Sequence, residues 1–334
     1  MVSGLPYIIQ SRRVLVAPLN WGLGHATRCI PIIRDLVLNG KEVYIASDGE
    51  ALVLLQKEFP DLPSIVLPSY DIYYNGTSML LDMLKSGPRI LKAIKAENNK
   101  TREICKQYRI DAIISDHRYG VRNKKIPSII VAHQLYIPYP TEAIARVISR
   151  VNKNLIRKFN SCWIPDYPPP SSLAGKISNT EGLHDFHYLG PLSRLEKQDN
   201  VPVNLFVAAI LSGPEPARSK LERKLIPIVR AHNGLLVKGK PDLDQGTESD
   251  IIPFLGSEKL NKLILSTEWV ICRSGYTSIM DLMKLDKKAI LIPTPGQPEQ
   301  LYLGDYLSHK HPEKFFLVKE DETDKILSIL SAQS

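Results

Sequence analysis

Val270 to Leu307 carry the pattern that decides the fold, and they read VICRSGYTSIMDLMKLDKKAILIPTPGQPEQLYLGDYL. The apolar run at 269–272 predicts a buried strand, and the residues after it carry apolar side chains at helical spacing. A second apolar run at 289–292 ends in a Pro-containing loop, after which another helix is predicted. Strands and helices that alternate in this way indicate a parallel sheet with crossover helices. Since ligands bind outside the carboxyl ends of such strands, the loops at 273–277 and 293–300 are candidate binding loops.

These two loops have side chains that suit phosphate, ribose and hexose groups. Ser274-Gly275 lets backbone amides approach a ligand at a helix N-terminus, where free N–H groups favour phosphate. Asp281, two turns later, offers a carboxylate to a ribose diol, and Glu299-Gln300 offers a carboxylate and an amide to sugar hydroxyls. Ser274-Gly275 taken alone is more typical of an ordinary glycine turn in an α/β loop, but the three groups together describe a nucleotide sugar.

This spacing resembles the donor site of GT-B glycosyltransferases, in particular family 28, which includes the enzyme that adds N-acetylglucosamine to lipid I. In that family a Ser/Gly-Gly loop, an acidic residue on the helix and an acidic-Gln or Gln-Gln pair hold the UDP-sugar. Asp281 stands where the family usually has the longer Glu. The resemblance implies these donor-binding residues: Ser212, Gly213, Arg218, Arg273, Ser274, Gly275, Tyr276, Thr277, Asp281, Glu299 and Gln300.

A second glycine-rich loop follows the first predicted strand, at 13–19, and contains Gly22 and Gly24. A βαβ opening with G-x-G also favours dinucleotide binding, and Asp48 lies near the position of a ribose-binding acid. However, Thr27 occupies the place of the third glycine of that fingerprint. The fuller string, in which His25 and Arg28 follow the glycines, resembles the loop that opens the acceptor domain of GT-B enzymes, where a His often faces the acceptor.

Polar residues also follow two later predicted strands, as Asp116-His117-Arg118 and as His133-Gln134. Carboxyl ends of parallel strands share one sheet edge, so these clusters are predicted to form a pocket with the glycine-rich loop. His25 is the first candidate for a general base because an unperturbed imidazole titrates near neutral pH. Asp116 is the second candidate, or the group that orients a histidine. The acceptor-binding residues implied by the resemblance are Gly22, Gly24, Arg28, His117, His133 and Gln134.

The polar stretch at 190–203, with Pro near both ends, predicts an interdomain linker. The predicted fold class is α/β, of the GT-B type, with two doubly wound Rossmann-like domains that face each other across a cleft. Residues 1–192 would form the acceptor-binding domain and residues 193–334 the nucleotide-sugar donor-binding domain. The 334-residue length suits two domains of ordinary size.

Composition narrows the class of partner. The net charge of +8 fits an anionic partner, such as a nucleoside diphosphate or an anionic lipid surface, whereas RNA-binding and zinc-finger signatures are absent from the sequence. The four cysteines are far apart, which suits a reducing cytosol, and the sequence shows neither a signal-peptide pattern nor an apolar run that could span a bilayer. A cytoplasmic location is therefore predicted, with peripheral contact to the inner face of the membrane left open.

Two further patterns bear on partners and cofactors. The predicted amphipathic helix at 141–160 carries an apolar stripe and a basic stripe, and the basic stripe suits either bulk solvent or anionic lipid headgroups. Asp242-Leu243-Asp244 matches the D-x-D metal signature of the GT-A fold, but its Gly/Pro/Asp-rich surroundings indicate a turn. We therefore expect neither a metal nor a cofactor.

The predicted function is that of an inverting, metal-independent glycosyltransferase. It would move a hexose from a nucleoside-diphosphate sugar, with UDP as the first choice, to a hydroxyl acceptor, a lipid-linked or cell-envelope precursor being one option. Three alternatives remain open at this point: an NAD-dependent oxidoreductase that uses the N-terminal G-x-G loop, a non-catalytic nucleotide-sugar binding protein, and a sugar-nucleotide epimerase of the same fold.

Overall fold

The structure is a computed structural model that describes residues 2–70, 87–240 and 249–332. Contacts divide the chain into two compact units, Met1–Leu192 and Ser193–Ser334. The boundary falls inside the predicted linker at 190–203. Residues just after it pack into the C-terminal unit, where the side chain of Leu195 is fully buried.

In the described residues, the N-terminal unit has one sheet, with α-helices in several of the connections between strands. Its strands are β1 (Arg13–Pro18), β2 (Glu42–Ser47), β3 (Ser64–Val66), β4 (Ala112–Asp116), β5 (Ser128–Val131), β6 (Ser161–Ile164) and β7 (Phe186–Tyr188). Its helices are α1 (Gly24–Leu38), α2 (Gly49–Glu58), α3 (Gly87–Tyr108) and α4 (Glu142–Ile156), with short 3-10 turns at Val2–Gly4 and Gly175–Ser178. The described strands pair in parallel in the order β3-β2-β1-β4-β5-β6-β7. Of the helix predicted over 78–108, the first nine residues lie outside the described part of the chain.

The C-terminal unit repeats this plan with a smaller sheet. Its strands are β8 (Leu205–Ile210), β9 (Leu235–Val237), β10 (Ile251–Ile252), β11 (Thr267–Cys272), β12 (Lys288–Leu291) and β13 (Phe315–Leu317). Its helices are α5 (Ala217–Ala231), α6 (Ser257–Leu265), α7 (Tyr276–Leu285), α8 (Pro298–Lys310) and α9 (Thr323–Ser331). The strands described for this unit are also parallel, in the order β10-β9-β8-β11-β12-β13. The predicted turn at Asp242-Leu243-Asp244 lies outside the described residues.

Apolar strands covered by helices explain why each sheet is buried on both faces. In β11, Trp269 and Ile271 are fully buried, and they share one core with Leu225 of α5 and Leu330 of α9. Near-continuous apolar strands of this kind are typical of parallel sheets with helices on both faces. The predicted α/β class with doubly wound sheets is confirmed.

Each sheet has one point at which the strand order reverses, and the candidate loops lie there. β1 lies between β2 and β4, and β8 lies between β9 and β11. Crevices outside the carboxyl ends of strands at such a switch point are the usual ligand sites of these sheets. In the N-terminal unit the loops concerned are 19–23 and 116–118, and in the C-terminal unit they are 211–216 and 273–275.

Helix α4 packs on the N-terminal unit with a mixed polar and apolar side, and the apolar residues 144, 147 and 151 lie on another side. Its buried residues are Ala145, Ser149, Asn152 and Ile156. Two of these are fixed by hydrogen bonds: the backbone N–H of Ile137 donates to Ser149 Oγ (2.8 Å), and Asn152 Nδ2 donates to the carbonyl of Gln134 (2.6 Å). The apolar stripe is left in solvent, with Ile144, Val147 and Val151 exposed by 38%, 61% and 56%. Among the described residues, none of the helices has the length and apolar character needed to cross a bilayer.

Candidate functional site

Five side chains from the carboxyl ends of three neighbouring strands meet in the N-terminal unit. His25 and Arg28 lie in the first turns of α1, directly after the β1 loop, while Asp116 ends β4 and His117 follows it. His133 comes two residues after β5 and also contacts Arg28. We call these five residues the histidine cluster. The structure thus brings together most of the side chains predicted for catalysis and acceptor binding.

The guanidinium of Arg28 forms the centre of the histidine cluster. It is buried and donates from Nε and Nη2 to the two carboxylate oxygens of Asp116. Nη1 lies 3.1 Å from His133 Nδ1, and Nη2 lies 2.7 Å from His25 Nδ1 and 3.0 Å from His117 Nδ1. Burial alone would raise the pKa of Asp116, but the positive charge of Arg28 holds that pKa well below its usual value. Asp116 is therefore a carboxylate of low basicity, which suits an orienting role better than that of a proton acceptor.

His25 is the most accessible of the groups that could accept a proton in this cluster. Its side chain is 16% exposed, compared with 9% for His117 and 0% for Asp116. His25 Nδ1 lies 2.8 Å from Asp116 Oδ1. Burial, and then the charge of Arg28, lowers the pKa of His25 from its usual 6.5, while burial lowers the pKa of His117 to about 3. Both imidazoles are thus neutral near pH 7, which is the state that a general base requires.

His25, Asp116 and His117 also offer ligand atoms within 4.8 Å of one another, a grouping that the sequence spacing does not reveal. Imidazole and carboxylate groups are ordinary ligands of Zn²⁺. However, both oxygens of Asp116 already accept hydrogen bonds from Arg28, whose Nη2 lies within 3.0 Å of both imidazole Nδ1 atoms. A metal ion would be repelled by this buried cation at close range. The residues therefore fit a metal poorly.

The other residues predicted for the acceptor lie around the same edge. Gly22, at φ +70°, adopts a left-handed conformation that glycine accepts most readily, and a side chain there would meet open space. Gly24 is the first residue of α1. The backbone carbonyl of Gln134 accepts a hydrogen bond from Asn152 Nδ2 of α4. The space beside Gly22 in the glycine-rich loop is thus open.

Asp48, on which the dinucleotide interpretation depends, is engaged within the protein. Its Oδ1 pairs with Arg118 Nη1 at 2.6 Å, and its Oδ2 accepts from Asn20 Nδ2 at 3.2 Å. Arg118 is itself fully buried and also pairs with Glu97 (2.5 Å). This carboxylate is committed to a buried ion pair, so the geometry does not favour its use as a ribose ligand.

In the C-terminal unit, the two candidate loops are tied directly to each other. Ser274 Oγ donates to the backbone carbonyl of Gln300 at 2.8 Å. The side chain of Gln300 accepts from the backbone N–H of Thr294 (2.9 Å) and donates to Gln297 Oε1 (2.5 Å). These bonds close the 294–300 turn at the start of α8. Gln300 therefore has a structural task in addition to its predicted contact with the hexose.

The two arginines predicted to bind the diphosphate are both buried and bonded to protein groups. Arg273 is 1% exposed, pairs with Glu320 at 2.8 Å, and donates to the carbonyls of Ala217 (2.9 Å) and Pro293 (3.2 Å). Arg218 donates to Glu215 (3.2 Å) and to the carbonyl of Gly239 (3.0 Å). These contacts favour a structural role for both guanidinium groups over the predicted contact with phosphate.

Asp281, the predicted ribose ligand, accepts a hydrogen bond from Ser193 Oγ at 2.6 Å. Burial raises the pKa of Asp281 to about 6, although the nearby charge of Arg194 and the Ser193 hydroxyl oppose this shift. Sequence patterns do not identify Ser193 and Arg194 as site residues, because both lie in the stretch predicted to be a linker. A short Ser-Arg pair carries no periodic signal that could place it beside a helix 88 residues away in sequence.

The remaining predicted donor residues lie after β8 and in the first turns of α7 and α8. Ser212 and Gly213 are half-buried after β8, and Gly213, at φ +100°, needs the conformational freedom of glycine. Gly275 is the N-cap of α7, with open space where a side chain would be. Tyr276 is buried, while Thr277 and Glu299 are half-buried in the first turns of α7 and α8.

Comparison with known proteins gives a family match for part of the C-terminal unit and relatives over most of the chain. Residues 221–330 match the family model described as "Glycosyltransferase family 28 C-terminal domain". A protein of Methanosarcina acetivorans named "Uncharacterized glycosyltransferase" is 24% identical over 311 residues, which cover 86% of this chain and 81% of the relative. A similarly named protein of Methanopyrus kandleri is 23% identical over 295 residues, which cover 80% and 81% of the two chains.

Solved structures agree on the fold. The rhamnosyltransferase SpnG in complex with thymidine diphosphate superposes with a TM-score of 0.61 at 12% identity, covering 96% of this chain and 92% of that one. MurG of Acinetobacter baumannii superposes with a TM-score of 0.55 at 12% identity, covering 96% and 90%. Together with the curated relatives, these findings show that the chain is a glycosyltransferase with the GT-B fold, and that residues 221–330 are similar to the C-terminal domain of glycosyltransferase family 28.

Proposed function

We propose that the chain transfers a hexose from a nucleoside-diphosphate sugar to a hydroxyl acceptor, with inversion at the anomeric carbon and without a metal ion. The C-terminal unit would bind the donor and the N-terminal unit the acceptor. The observation that carries the proposal is the 2.8 Å contact between His25 Nδ1 and Asp116 Oδ1 at the switch point of the first sheet. It supplies a neutral imidazole that is oriented by a carboxylate.

The proposed reaction is a single displacement. His25 takes the proton of the acceptor hydroxyl while the acceptor oxygen forms a bond to the anomeric carbon. The bond from that carbon to the diphosphate oxygen breaks, and its electron pair leaves with the nucleoside diphosphate. Asp116 stabilises the imidazolium that forms at His25, as a carboxylate does when it is hydrogen-bonded to a catalytic histidine. The backbone amide of Gly213 and those at 274–277 would stabilise the charge that grows on the leaving group.

UDP is the first choice for the nucleotide of the donor, because of the resemblance to family 28. SpnG, which shares the fold, was solved in complex with thymidine diphosphate, so dTDP is the second choice. A thermal-shift panel of UDP, dTDP, GDP and NAD on the full chain tests this assignment. A ligand at 100 times its dissociation constant adds about 2.7 kcal/mol of stability, so the preferred nucleotide should stand out clearly.

Product analysis separates the proposed reaction from the other candidates. Release of nucleoside diphosphate that depends on an added hydroxyl acceptor, together with a glycosylated product of inverted configuration, supports the transferase. Turnover of the donor without an acceptor indicates an epimerase or a hydrolase. Binding without any turnover indicates a sensor, and stabilisation by NAD alone contradicts the donor assignment.

We also propose that the acceptor is presented at an anionic membrane surface. The support is the stripe of Ile144, Val147 and Val151 on α4, whose apolar side chains lie in solvent. Arg146 and Arg150 are exposed on the adjoining side of the same helix, within one turn of Val147. An amphipathic helix with apolar and cationic sides of this kind suits a bilayer interface. α4 is the next helix in the chain after β5, the strand that His133 follows.

Flotation with vesicles tests the membrane proposal. The wild-type chain should float with vesicles that contain phosphatidylglycerol, and less well with phosphatidylcholine alone or at high salt, because screening weakens the basic contribution. Val147→Asp with Val151→Asp should abolish flotation. Val66→Asp is a matched control, since Val66 is 68% exposed on β3 without belonging to the stripe. Equal flotation of all three proteins would exclude the stripe as the membrane contact.

A further inference from the structure

The hydrogen atoms of Arg28 impose a constraint on the histidines around it. Nη2 of the guanidinium carries two hydrogens. One of them is used for Asp116 Oδ1, because Nε and Nη2 bond to the carboxylate in the two-point manner of an Arg–carboxylate pair. Two further acceptor candidates, His25 Nδ1 at 2.7 Å and His117 Nδ1 at 3.0 Å, face the same Nη2. The one remaining hydrogen can serve only one of them.

The other imidazole must then carry a hydrogen on its own Nδ1. Both Nδ1 atoms also face Asp116 Oδ1, at 2.8 Å from His25 and 3.2 Å from His117. A bare Nδ1 that receives no hydrogen from Arg28 would oppose its lone pair to a carboxylate oxygen inside a buried site, which is costly in a low dielectric. An Nδ1–H would instead donate to the carboxylate. The two neutral rings therefore cannot be in the same tautomer.

We infer that His25 and His117 hold complementary tautomers, and that Arg28 and His117 are positioning residues that leave Nε2 of His25 bare. In this arrangement His25 Nδ1–H donates to Asp116 and His117 Nδ1 accepts from Arg28. The two bonds have lengths of 2.8 and 3.0 Å, both close to the usual value for N–H donors. The reverse arrangement would use bonds of 3.2 and 2.7 Å, and the first of these lies at the long limit.

The inference rests on the proposed function and refines it. A proton from the acceptor can be taken only by a ring nitrogen that holds a free lone pair. With Nδ1 protonated toward Asp116, that nitrogen is Nε2 of His25. The reverse tautomer would present an N–H at Nε2 and could not act as the base. His117 thus acts on catalysis through Arg28. Its Nδ1 accepts the remaining Nη2 hydrogen of Arg28, which would otherwise bond to Nδ1 of His25 and favour the inactive tautomer of that ring.

Long-range ¹H–¹⁵N spectra of the full chain with ¹⁵N-labelled histidine report each tautomer directly. The chain has eight histidines, and the signals of the pair are assigned by their loss in His25→Asn and His117→Asn. Near pH 7 we expect the Nδ1–H form for His25 and the Nε2–H form for His117. The same tautomer in both rings, or the Nε2–H form in His25, would overturn the inference.

Two substitutions at position 117 add a functional readout. His117 has φ +55°, which Asn tolerates better than most residues, and an Asn amide oxygen can accept from Arg28 in place of Nδ1. Leu at position 117 has no atom that can accept a hydrogen bond from Arg28. The Nη2 hydrogen of Arg28 would then bond to Nδ1 of His25 and favour the Nε2–H form of that ring. His117→Leu should therefore lower kcat on the order of tenfold more than His117→Asn, because kcat follows the fraction of His25 in the competent tautomer.

The two experiments fail in different ways. If the tautomers are as inferred but no acceptor is glycosylated, the proposed function is wrong and the tautomer assignment stands. If turnover depends on His25 but the spectra show equal tautomers in the two rings, the inference is wrong and the function stands. A His117→Leu protein with the His25 tautomer of the wild type would also overturn the inference, whatever its melting temperature.

Discussion

The two units share a strand order and a switch point, yet they use their polar side chains differently. In the N-terminal unit the predicted residues converge, and Arg28, Asp116 and His25 contact one another directly. In the C-terminal unit the predicted residues mostly hold loops in place. Arg273 binds two neighbouring carbonyls and Glu320, and Gln300 closes its own turn.

Under the proposed function, this difference predicts that the two units recognise their ligands by different means. A cluster of side chains around a buried charge can perform proton transfer, since it sets the pKa and the orientation of a base. Loops fixed by buried side chains can instead hold the start of a helix in one position, which suits the binding of a diphosphate at a helix N-terminus. On this view, substitutions in the first unit should change rate, and substitutions in the second should change stability and affinity.

The largest effect is expected from His25→Ala. Loss of a general base should lower kcat by about 10²–10⁴-fold and leave the affinity for the donor nearly unchanged. Steady-state kinetics and a nucleotide titration on the same protein measure both quantities. His309→Ala is a suitable control because His309 is an exposed histidine on α8, with its side chain 79% accessible.

The competing explanation for His25 is that it only supports the start of α1. Loss of such local support costs about 1 kcal/mol and would lower the melting temperature without slowing a folded enzyme. A His25→Ala protein that melts early but transfers sugar at nearly the wild-type rate would remove His25 from the mechanism. The assignment of proton transfer to the N-terminal unit would then be wrong.

Arg273→Met should have the largest effect on stability. It leaves Glu320 as a buried carboxylate without its cation and removes the bonds to Ala217 and Pro293, a loss of about 3–5 kcal/mol. Urea unfolding measures it, with Arg223→Met as a control at an exposed position of α5. If Arg273 is instead a phosphate ligand, the variant will keep its stability and lose affinity for free diphosphate.

Apolar runs in the sequence place the candidate sites well, because these runs fix where the strands end. His25, Asp116 and His133 follow three such runs, and the topology of a parallel sheet brings them to one edge. What the sequence does not predict depends on the direction of individual side chains. The resemblance implies that Arg28 contacts the acceptor. Only the three-dimensional structure shows that Arg28 donates hydrogen bonds to Asp116, which is 88 residues away in sequence.

Two other differences have a similar cause. The short strand β7 lacks the long apolar run that marks the other strands, so the sequence pattern does not predict it. In α4, Ser149 and Asn152 are buried because loop groups accept and donate hydrogen bonds there, which outweighs the burial of the apolar stripe. Hydrophobic periodicity records how apolar residues are spaced, and it does not record which side of a helix finds hydrogen-bonding partners.

Asp281→Asn should raise stability at neutral pH. The folded-state pKa of about 6 lies above the ordinary 3.8, so between these values the folded chain binds more protons and the free energy of unfolding falls as pH rises. The cost is fully present above pH 6 and disappears below about pH 4, with a magnitude on the order of 1–3 kcal/mol. The variant should therefore melt higher than wild type at pH 7 and equally at pH 4, while its nucleotide affinity falls.

Asp305→Asn provides the control for this experiment, because Asp305 is 67% exposed on α8. Equal melting of wild type and Asp281→Asn at pH 7 would mean that Ser193 and its surroundings stabilise the carboxylate fully. Unchanged nucleotide affinity would separate Asp281 from the ribose and leave it as part of the packing between 193–195 and α7.

The smallest effect should distinguish the two tasks of Gln300. If its amide contacts the hexose, Gln300→Ala will weaken binding of the nucleotide sugar by about 3–10-fold more than binding of the free diphosphate, as expected for one lost hydrogen bond. Gln297→Ala is the matched variant, since it removes the partner of Gln300 Nε2 but leaves the bond from Thr294 N–H to Gln300 in place. The Gln297→Ala variant should change the affinity for both ligands by the same factor.

Calorimetric titration of the two variants with both ligands provides the four affinities required. If Gln300→Ala also lowers the affinity for both ligands by the same factor, Gln300 only holds its loop in place, as Arg273 does. Recognition of the sugar must then come from Glu299 or from backbone groups of the 293–297 turn.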